Sequence, residues 1–560
     1  MSAHRVYKSP FPAVHVPTNI SVSAYLTQSN PDDVPPEKTI LSDFDTPGRT
    51  LTYGGLRQEA ARGAVWLKAA FGLKPGDVVC IYGTNSVSWV LMAHSAIWAG
   101  GYFSAINPLT TKYELPHYFG VSAPTVIAVD SELVSNVEFA LEQMKPTRVP
   151  KIVVLSKPEN PARAARHNSF PQFPEDAVAE TTKTIAPYNL EGRDNRTVPA
   201  AMCFSSGTSG KPKGVLLSHY AIIAYLLTCR ATNPFLYNAH IREVFFPPFA
   251  HIYGIISAVF APPYVGSHVV AMPKFDFEKY LEGCHRIKAT ILRLVPSTAI
   301  RLTKDPIAKS LDLSSVQTIM CSGAALSAET MKDLQAMLRP DAHVLNGYGM
   351  SEVTITMQRE TTAGRKAGSV GKPAASVEIR VVDEQHRDVQ PGADGECLVR
   401  GPTMFTGYKD NAAETSAAFR DGWFCTGDVV RVDLDGYFYL TGRRKELVKV
   451  KGNQVAPAEL EAVLLEHPLV TDAGVCGVAD ERDGEIPVAA VTLAESVSES
   501  GRPRVLQEVR EFVDARVAPY KRLRGGIFYV DVLPKGVTGK LVRREILPTI
   551  NRARKPTPRL

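Results

Sequence analysis

The chain has 560 residues, and its 63 Lys and Arg against 57 Asp and Glu give a formal net charge of +6. This length is too great for one hydrophobic core and predicts several domains or subdomains. The composition, 44% hydrophobic and 21% charged, argues against disorder, and so small a net charge gives no indication of nucleic-acid binding. The eight cysteines form no C-x-x-C pair, which favours reduced thiols over disulfides or a zinc site.

Short apolar runs alternate with amphipathic segments over most of the chain. Runs at 78–82, 126–129 and 151–155 predict buried strands, and the alternation predicts an α/β architecture. The most apolar stretch, 89–106, contains a histidine and two glycines, which favours a buried helix leading into a strand over a membrane span. Residues 157–198 are rich in Pro, Asn, Arg and Glu and predict a surface segment.

The strongest local pattern is the loop SSGTSGKPKG at 205–214. Its three glycines, four hydroxyl side chains and two lysines can direct several N–H and O–H donors toward phosphate oxygens. The spacing differs from that of a Walker A loop, G-x-x-x-x-G-K-[ST], because Gly207 and Gly210 are too close together. The pattern therefore predicts a phosphate-binding loop of another kind, in preference to a flexible polar surface loop.

The chain changes character near residues 441–444, and roughly 115 residues follow. Pro457 is expected to begin a helix there, because Leu460, Val463 and Leu464 then have the i, i+3, i+4 spacing of one buried face. We therefore predict a compact α+β domain in this last part of the chain.

The loop at 205–214 closely resembles the phosphate-loop signature of the acyl-adenylate-forming superfamily, which contains acyl-CoA synthetases, peptide-synthetase adenylation domains and beetle luciferases. Further segments resemble motifs of the same superfamily in the same order: NGYGMSE at 346–352, TGD at 426–428, GRRKE at 442–446 and KGVTGK at 535–540. The resemblance covers about residues 50–545. It is greatest to the 4-coumarate:CoA ligase branch, including its fungal relatives.

The resemblance implies an α/β fold in two domains. The large amino-terminal domain, 1–444, would consist of several subdomains, with sheets covered by helices and one small β subdomain. The carboxy-terminal domain, 445–560, would be a small mobile α+β unit. Lys445 would be the hinge between them.

The resemblance also implies a site for ATP and AMP. Tyr348 would stack on adenine, and Asp428 and Arg443 would bind the ribose hydroxyls. Glu352 would hold Mg²⁺, since a carboxylate beside a triphosphate needs a cation between them. The small residues at 323–325 would border the adenine, although the same pattern is typical of a tight strand–turn. The implied nucleotide-binding set is Ser205, Ser206, Gly207, Thr208, Ser209, Gly210, Lys211, Lys213, Gly323, Ala324, Ala325, Asn346, Gly347, Tyr348, Gly349, Ser351, Asp428, Arg443 and Lys540.

Three residues would have catalytic roles by resemblance. Lys540 would act in adenylation, because the substrate carboxylate and the ATP α-phosphate are both anionic and a lysine between them offsets their repulsion. His251, in the segment PPFAHIYG, would close against the acyl pocket. Lys449 would act in the thioester-forming conformation.

The resemblance places the acyl and CoA sites on either side of the adenylate. The acyl site would be lined by His251, Tyr253, Ser257, Ile355 and Thr356. The CoA site would be lined by Lys449, Lys451 and Gly452, where glycine leaves room in a narrow channel.

These motifs together predict an ATP-dependent acid:CoA ligase with ATP, CoA and a small carboxylic acid as partners and Mg²⁺ as cofactor. The acid would be aryl, such as a cinnamate, benzoate or phenylacetate, or of medium chain length. The sequence HIYG lacks the aspartate that pairs with an α-amino acid in peptide-synthetase domains. Two alternatives stay open, a ligase that loads a carrier protein and a luciferase-like oxygenase. A catalytically dead binding protein is disfavoured because the motif residues are intact.

The amino terminus contains no apolar signal-peptide core, so we expect a cytoplasmic or peroxisomal protein without a membrane span. The tripeptide Pro558–Arg559–Leu560 resembles the peroxisomal S-K-L signal at its last two positions. It predicts a peroxisomal import receptor as a further partner, although a chance match is nearly as good an explanation.

Overall fold

A computed structural model of the chain describes residues 5–155, 170–205, 212–322, 326–357, 366–444, 446–450, 453–480, 482–517, 519–536 and 541–554. Within these residues the strands form five sheets. Four sheets belong to the chain up to residue 443, and the fifth belongs to the part that follows.

The large amino-terminal part contains 22 of the described strands. In chain order the first eleven are β1 (Tyr7–Lys8), β2 (Thr39–Asp43), β3 (Thr50–Thr52), β4 (Val78–Tyr82), β5 (Tyr102–Ile106), β6 (Val126–Val129), β7 (Lys151–Val154), β8 (Pro199–Ser205), β9 (Lys213–Ser218), β10 (Arg242–Phe245) and β11 (His268–Ala271). The others are β12 (Ile291–Leu294), β13 (Thr318–Ser322), β14 (His343–Met350), β15 (Val353–Met357), β16 (Lys372–Pro373), β17 (Glu378–Val382), β18 (Asp394–Arg400), β19 (Gly407–Tyr408), β20 (Phe419–Arg420), β21 (Trp423–Val432) and β22 (Phe438–Arg443).

Helices separate many of these strands. In chain order they are α1 (Val22–Gln28), α2 (Tyr53–Phe71), α3 (Val87–Trp98), α4 (Leu115–Ser122), α5 (Val134–Met144), α6 (Glu175–Glu180), α7 (His219–Thr232), α8 (Ile252–Gly254), α9 (Ala261–Val265), α10 (Phe277–Arg286), α11 (Pro296–Lys304), α12 (Ile307–Ser310), α13 (Ala328–Met337) and α14 (Ala412–Ala417). A π-helical stretch, Ile255–Phe260, joins α8 to α9.

The central sheet has seven strands in the order β19-β9-β8-β5-β4-β6-β7. Its middle strands are parallel, and β4, β5 and β6 are buried along their whole length. Continuous apolar runs are typical of parallel strands that helices cover on both faces. The three apolar runs predicted as strands are confirmed.

The apolar stretch at 89–106 is a buried helix, α3, followed by the strand β5, as predicted. Ser86 begins the helix because its side chain accepts a hydrogen bond from the Trp89 N–H at 3.2 Å. Every residue of α3 is buried, as expected of a helix that is apolar on all sides. None of the described helices is long and apolar enough to cross a bilayer.

Two further sheets contain parallel strands and lie beside the central sheet. One has the order β12-β13-β14-β15-β16, with β12, β13 and β14 parallel. The other has the order β10-β11-β2-β3. The sheet of β1, β17, β18, β21, β20 and β22 has only antiparallel pairs and forms the small β subdomain.

The carboxy-terminal part has a hydrophobic core of its own. Its elements are β23 (Val448–Val450), β24 (Asn453–Val455), α15 (Pro457–Glu466), β25 (Val470–Asp480), β26 (Gly484–Leu493), α16 (Arg502–Asp514), β27 (Ile527–Tyr529) and α17 (Ile546–Arg554). Pro457 begins α15, and Leu460 and Leu464 are buried, as predicted. The expected fold, a large α/β domain followed by a smaller α+β domain, is confirmed.

Most of the described residues of the predicted surface segment, 170–198, are exposed or half-buried, but a few buried side chains attach it to the core. Phe173 is fully buried, and its ring centroid lies 5.7 Å from that of Trp66. Leu190 and Val198 are buried as well. The polar composition concealed these apolar residues, which attach the segment to α2 and the core.

All eight cysteines are free thiols, and seven of them are buried. This finding agrees with the prediction of thiols rather than disulfides. Burial raises the pKa of several of these thiols, including that of Cys203 to about 12, so they are poor nucleophiles at neutral pH.

Candidate active site

A cavity of about 2000 Å³ lies at the carboxyl ends of parallel strands from three sheets, and in the smallest of these Asp43 ends β2 and Ala271 ends β11. Its lining includes residues that end or directly follow β4, β5, β6 and β8 in the central sheet, and β12, β13 and β14 in the neighbouring sheet. Open α/β sheets generally bind their ligands at this edge. Gly536 of the small domain also lines the cavity, so both domains contribute to it.

One end of the cavity is built around the carboxylate of Asp428, which is buried. Tyr348 Oη donates to Asp428 Oδ2 at 2.7 Å, and Arg443 Nε lies 2.9 Å from Asp428 Oδ1. Asp428 and Arg443 face each other across the pairing of β21 and β22, which fixes their separation. Gly427 precedes the aspartate with φ +72°, a conformation that glycine adopts without strain.

A buried carboxylate, Glu352, lies farther along the cavity. Tyr408 Oη donates to Glu352 Oε1 at 3.0 Å. Burial raises the pKa of Glu352 above its ordinary value, and the hydrogen bond from Tyr408 opposes that rise. Burying an ionised carboxylate without a nearby positive charge is energetically unfavourable. A bound cation beside Glu352 would therefore be favoured.

The ends of the phosphate-loop pattern lie beside Glu352. Ser205 ends β8 and Lys213 begins β9, and these two residues pair across the antiparallel strands. The Lys213 ammonium forms an ion pair with Glu414 and lies 4.9 Å from the centroid of the Tyr408 ring. The described ends of the loop therefore border a region with two carboxylates and a lysine.

A more apolar wall is formed by the segment that begins at His251. The His251 Nδ1 accepts from the Tyr253 N–H at 3.3 Å and so begins the short helix α8. Tyr253, Ser257 and Thr356 line the cavity on this side. At Gly254 an added Cβ would lie 2.4 Å from the Pro248 carbonyl oxygen, so the close turn requires glycine.

The sequence is similar to that of known proteins along most of its length. The family described as AMP-binding enzyme matches residues 29–409, and the AMP-binding enzyme C-terminal domain matches residues 459–540. The chain belongs to the AMP-binding enzyme family.

Two plant relatives illustrate the similarity. The chain is 30% identical over 551 residues to 4-coumarate–CoA ligase 4 of Arabidopsis thaliana, covering 97% of this chain and 94% of the relative. It is 32% identical over 514 residues to peroxisomal OPC-8:0-CoA ligase 1 of the same plant, covering 89% of this chain and 88% of the relative. The resemblance to fungal members of this branch stays a prediction.

The fold agrees with a solved structure of the anthranilate CoA ligase AuaEII in complex with anthranoyl-AMP. The TM-score is 0.83, with 24% sequence identity, and the comparison covers 96% of this chain and 98% of the other. This likeness shows that the chain has the fold of an acyl-adenylate-forming enzyme.

Within this AMP-binding fold, many of the predicted site residues meet at one cavity. The predicted residues that line it are Ser205, Lys213, His251, Tyr253, Ser257, Gly347, Tyr348, Gly349, Ser351, Glu352, Thr356 and Arg443. Asp428 lies directly behind the lining and is hydrogen-bonded to two of these residues. The roles assigned to these residues stay predictions.

Besides Asp428, the predicted site residues Ile355 and Asn346 are absent from the cavity lining. Ile355 is fully buried in the core, whereas its neighbours Thr354 and Thr356 line the cavity, because successive side chains of β15 point to opposite faces. Asn346 is also fully buried and lies deeper in β14, opposite Cys321. Direct ligand contact by Ile355 and Asn346 stays a prediction.

Several predictions fall on residues outside the described part of the chain. They are Ser206, Gly207, Thr208, Ser209, Gly210, Lys211, Gly323, Ala324, Ala325, Lys445, Lys451, Gly452 and Lys540. Lys449 belongs to β23.

The sequence analysis missed many residues of the cavity lining, among them Tyr225, Tyr408 and Glu414. Tyr408 and Glu414 are more than 50 residues beyond Glu352, and no local pattern connects them. Tyr225 could have been identified from the sequence, because a tyrosine hydroxyl on the mostly buried helix α7 needs a polar partner.

Proposed function

We propose that this AMP-binding enzyme is an ATP-dependent acid:CoA ligase. In the first reaction a carboxylate oxygen attacks the α-phosphorus of ATP, and the bond to pyrophosphate breaks, giving an acyl-adenylate. In the second reaction the deprotonated thiol of CoA attacks the acyl carbon, and the bond to AMP breaks, giving acyl-CoA. The observation that carries this proposal is one cavity that contains the Tyr348–Asp428–Arg443 group, the buried Glu352 and the wall at His251.

The Asp428 end suits the nucleoside of ATP. A carboxylate that already accepts from Tyr348 and Arg443 has further lone pairs for the hydroxyls of a ribose. The hydrogen bond to Asp428 also orients the Tyr348 ring beside the cavity, where an adenine can stack on it. Asp428 and Arg443 would therefore bind the ribose, and Tyr348 the base.

The Glu352 end suits the phosphates. Glu352 would hold Mg²⁺, because this cation binds one or two carboxylates together with phosphate oxygens. The bound cation would neutralise charge on the phosphates as pyrophosphate leaves. Lys213, Ser205 and Ser351 line the same cavity and would contact phosphate oxygens directly.

The acyl group would bind along His251, Tyr253, Ser257 and Thr356. Lys540 would offset the repulsion between carboxylate and α-phosphate, and its segment begins beside Gly536 at the cavity. Lys449, Lys451 and Gly452 would serve the CoA reaction. This assignment requires the small domain to change orientation about Lys445, between domains 1–444 and 445–560.

An activity screen tests the proposal. Purified protein is incubated with Mg-ATP, CoA and single acids from an aryl and a medium-chain set, and AMP, pyrophosphate and acyl-CoA are measured. We expect acid-dependent AMP and pyrophosphate together with a CoA thioester. A product formed only with a pantetheinylated carrier protein or only with oxygen would indicate the alternatives. The absence of acid-dependent pyrophosphate with every acid would contradict the proposal.

The cell compartment is a separate question. The peroxisomal name of one Arabidopsis relative supports a peroxisomal address, and the tripeptide Pro558–Arg559–Leu560 would then be bound by an import receptor. A fluorescent protein fused to the amino terminus should give punctate signal that becomes diffuse when the tripeptide is removed. Diffuse signal from the intact fusion would indicate the cytoplasm.

A further inference from the structure

The buried side chain of Asn85 joins the central sheet to the segment that leads to His251. Asn85 belongs to the loop at 83–86, directly after β4, and it lines the cavity. Its Oδ1 accepts from the Phe249 N–H at 2.8 Å. Its Nδ2 donates to the Pro247 carbonyl oxygen at 2.9 Å. The amide therefore bonds to this backbone through both of its polar atoms.

The Nδ2 atom of Asn85 also faces the ends of two parallel strands. It lies 3.2 Å from the Met272 carbonyl oxygen, directly after β11, and 3.4 Å from the Phe245 carbonyl oxygen, at the end of β10. A primary amide has donors and an acceptor on one carbon, so Asn85 can satisfy a buried N–H and buried carbonyls together. An apolar side chain here would remove this partner from the buried Phe249 N–H, which is unfavourable.

The loop that carries Asn85 is itself held by two carboxylates. Asp130 Oδ2 accepts from the Thr84 N–H at 2.8 Å and from Thr84 Oγ1 at 2.6 Å. On the other side of Asn85, Asp43 Oδ1 accepts from the Val87 N–H at 2.7 Å. These bonds restrict the loop on both sides, so its amide can fix the position of a second segment.

The segment from Phe249 to Gly254 forms a close turn. The His251 N–H donates to the Pro248 carbonyl oxygen at 3.0 Å, and an added Cβ at Gly254 would lie 2.6 Å from Phe249 Cα. The buried Phe249 ring packs edge-to-face against Trp89 of α3, with ring centroids 5.9 Å apart. A displacement of the backbone at Phe249 would therefore displace His251 as well.

We propose that Asn85 is a positioning residue for acid activation, whose amide fixes the backbone at 247–249 and thereby places the wall at His251 against the acyl group. This inference rests on the proposed ligase function. The bonds of Asn85 reach the backbone that leads to His251, whereas the nucleotide end of the cavity is built on Tyr348 and Asp428. Activation of the acid should therefore depend on Asn85, and binding of ATP should not.

The first variant keeps the size of the side chain. Asn85→Asp retains an acceptor for the Phe249 N–H but replaces the NH2 group by an oxygen that faces the Pro247 and Met272 carbonyl oxygens. These oxygens are all acceptors and repel one another, so the segment should shift. Asn85→Ala is the second variant, and it leaves room for water from the cavity to bond the released backbone groups.

Asn195 provides a matched control. It is fully buried, and its Nδ2 donates to the carbonyl oxygens of Pro17 at 2.8 Å and Ile20 at 2.9 Å, but it is outside the cavity lining. Asn195→Asp and Asn195→Ala should therefore lower stability as the Asn85 variants do. They should leave the kinetics of acid activation unchanged.

Kinetics and ATP binding separate a positioning role from a general loss of structure. The kcat/KM for the acid, from acid-dependent pyrophosphate release at saturating ATP, should fall about tenfold to a hundredfold in Asn85→Asp and Asn85→Ala. The Kd for Mg-ATP, measured without acid, should be unchanged. In a His251→Ala background the same substitutions should lower kcat/KM much less, because the wall that they displace is already altered.

Hydrogen exchange measures the segment independently of activity. Amides at 245–252 should exchange faster in the Asn85 variants than in the wild-type protein, because the bond to the Phe249 N–H is weakened or lost. The Asn195 variants should exchange faster near residues 17–20 instead.

The outcomes distinguish this inference from the proposed function. Unchanged exchange at 245–252 in the Asn85 variants would overturn the inference and leave the ligase function standing, and so would an equal loss of acid activation and ATP binding. Undiminished effects in the His251→Ala background would also overturn it. If the wild-type protein gives no acid-dependent pyrophosphate, the ligase function is contradicted and the role of Asn85 in acid activation falls with it, whereas the exchange data still decide whether Asn85 holds the segment.

Discussion

Arg444 is joined to Glu396 by a hydrogen-bonded ion pair, with Arg444 Nη1 2.7 Å from Glu396 Oε2. Glu396 belongs to β18 of the large domain. Two residues farther on, Glu446 accepts from Arg543 Nε at 3.0 Å, and Arg543 belongs to the small domain. The Arg444 side chain is therefore paired with the large domain and the Glu446 side chain with the small domain, while the Glu446 N–H donates to the Arg443 carbonyl oxygen at 2.9 Å. If the small domain rotates as proposed, this change of partner between residues 444 and 446 supports a hinge at Lys445.

The first prediction concerns Lys445. Proline fixes φ near −65°, so Lys445→Pro should restrict rotation of the small domain more than it affects binding in the large domain. We expect acid-dependent pyrophosphate exchange to be retained and most acyl-CoA formation to be lost. Lys445→Ala is the matched control and should be much milder. Acyl-CoA formation at the wild-type rate by Lys445→Pro would show that the hinge lies elsewhere.

The second prediction concerns Lys540. If it offsets charge only during adenylation, Lys540→Ala should cripple acyl-AMP formation yet still convert added acyl-AMP to acyl-CoA. Lys535→Ala is the control from the same segment, because Lys535 is paired with Asp472 of the small domain. We expect this control to retain adenylation. Equal loss of both half-reactions in Lys540→Ala would rule out the assigned role.

The third prediction concerns Asp428. Asp428→Asn removes the charge that holds Arg443 and weakens the acceptor for the ribose hydroxyls. The KM for ATP should therefore rise about tenfold to a hundredfold, which corresponds to a loss of about 1.5–3 kcal/mol in the free energy of ATP binding. Tyr348→Phe removes only the hydrogen bond to Asp428 and should weaken the free energy of ATP binding by about 1 kcal/mol. Steady-state kinetics with ATP varied measure both, and the KM for the acid is the internal control. An unchanged KM for ATP in Asp428→Asn would place the ribose elsewhere.

Much of the fold could be predicted from local sequence. The runs that became β4 and β6 were recognisable because strands buried on both faces are apolar throughout. The helix after Pro457 was recognisable from its spacing. The buried side chains of the segment 170–198 were not recognisable, because a few apolar residues in a polar sequence give no periodic pattern.

The candidate site was predictable where its residues follow one another along a motif. Tyr408 was not, because it reaches Glu352 only through the pairing of β19 with β9. Ile355 and Thr356 were both assigned to the acyl site, although successive side chains of a strand point to opposite faces and only Thr356 lines the cavity.

The last prediction concerns stability at acidic pH and His219. This residue is 1% exposed, and its Nδ1 accepts from the Val22 N–H at 3.1 Å, so the ring is neutral in the folded protein. Burial lowers the pKa of His219 from 6.5 to about 3, and Arg193 adds to this effect. Between these two values the unfolded chain binds a proton that the folded protein does not, so the free energy of unfolding must fall as the pH decreases below 6.5.

The expected contribution of His219 is a loss of about 3 kcal/mol by about pH 4. His219→Asn keeps an acceptor close to the position of Nδ1 but cannot be protonated, so its stability should depend less on pH over this range. Denaturant unfolding of the large domain from neutral to acidic pH measures the difference. The exposed His240 provides the control, because His240→Asn should follow the wild-type curve. If His219→Asn loses as much stability on acidification as the wild-type protein, then protonation of His219 does not oppose folding. The acid sensitivity would then have another source, and the buried His94 would be the first residue to test.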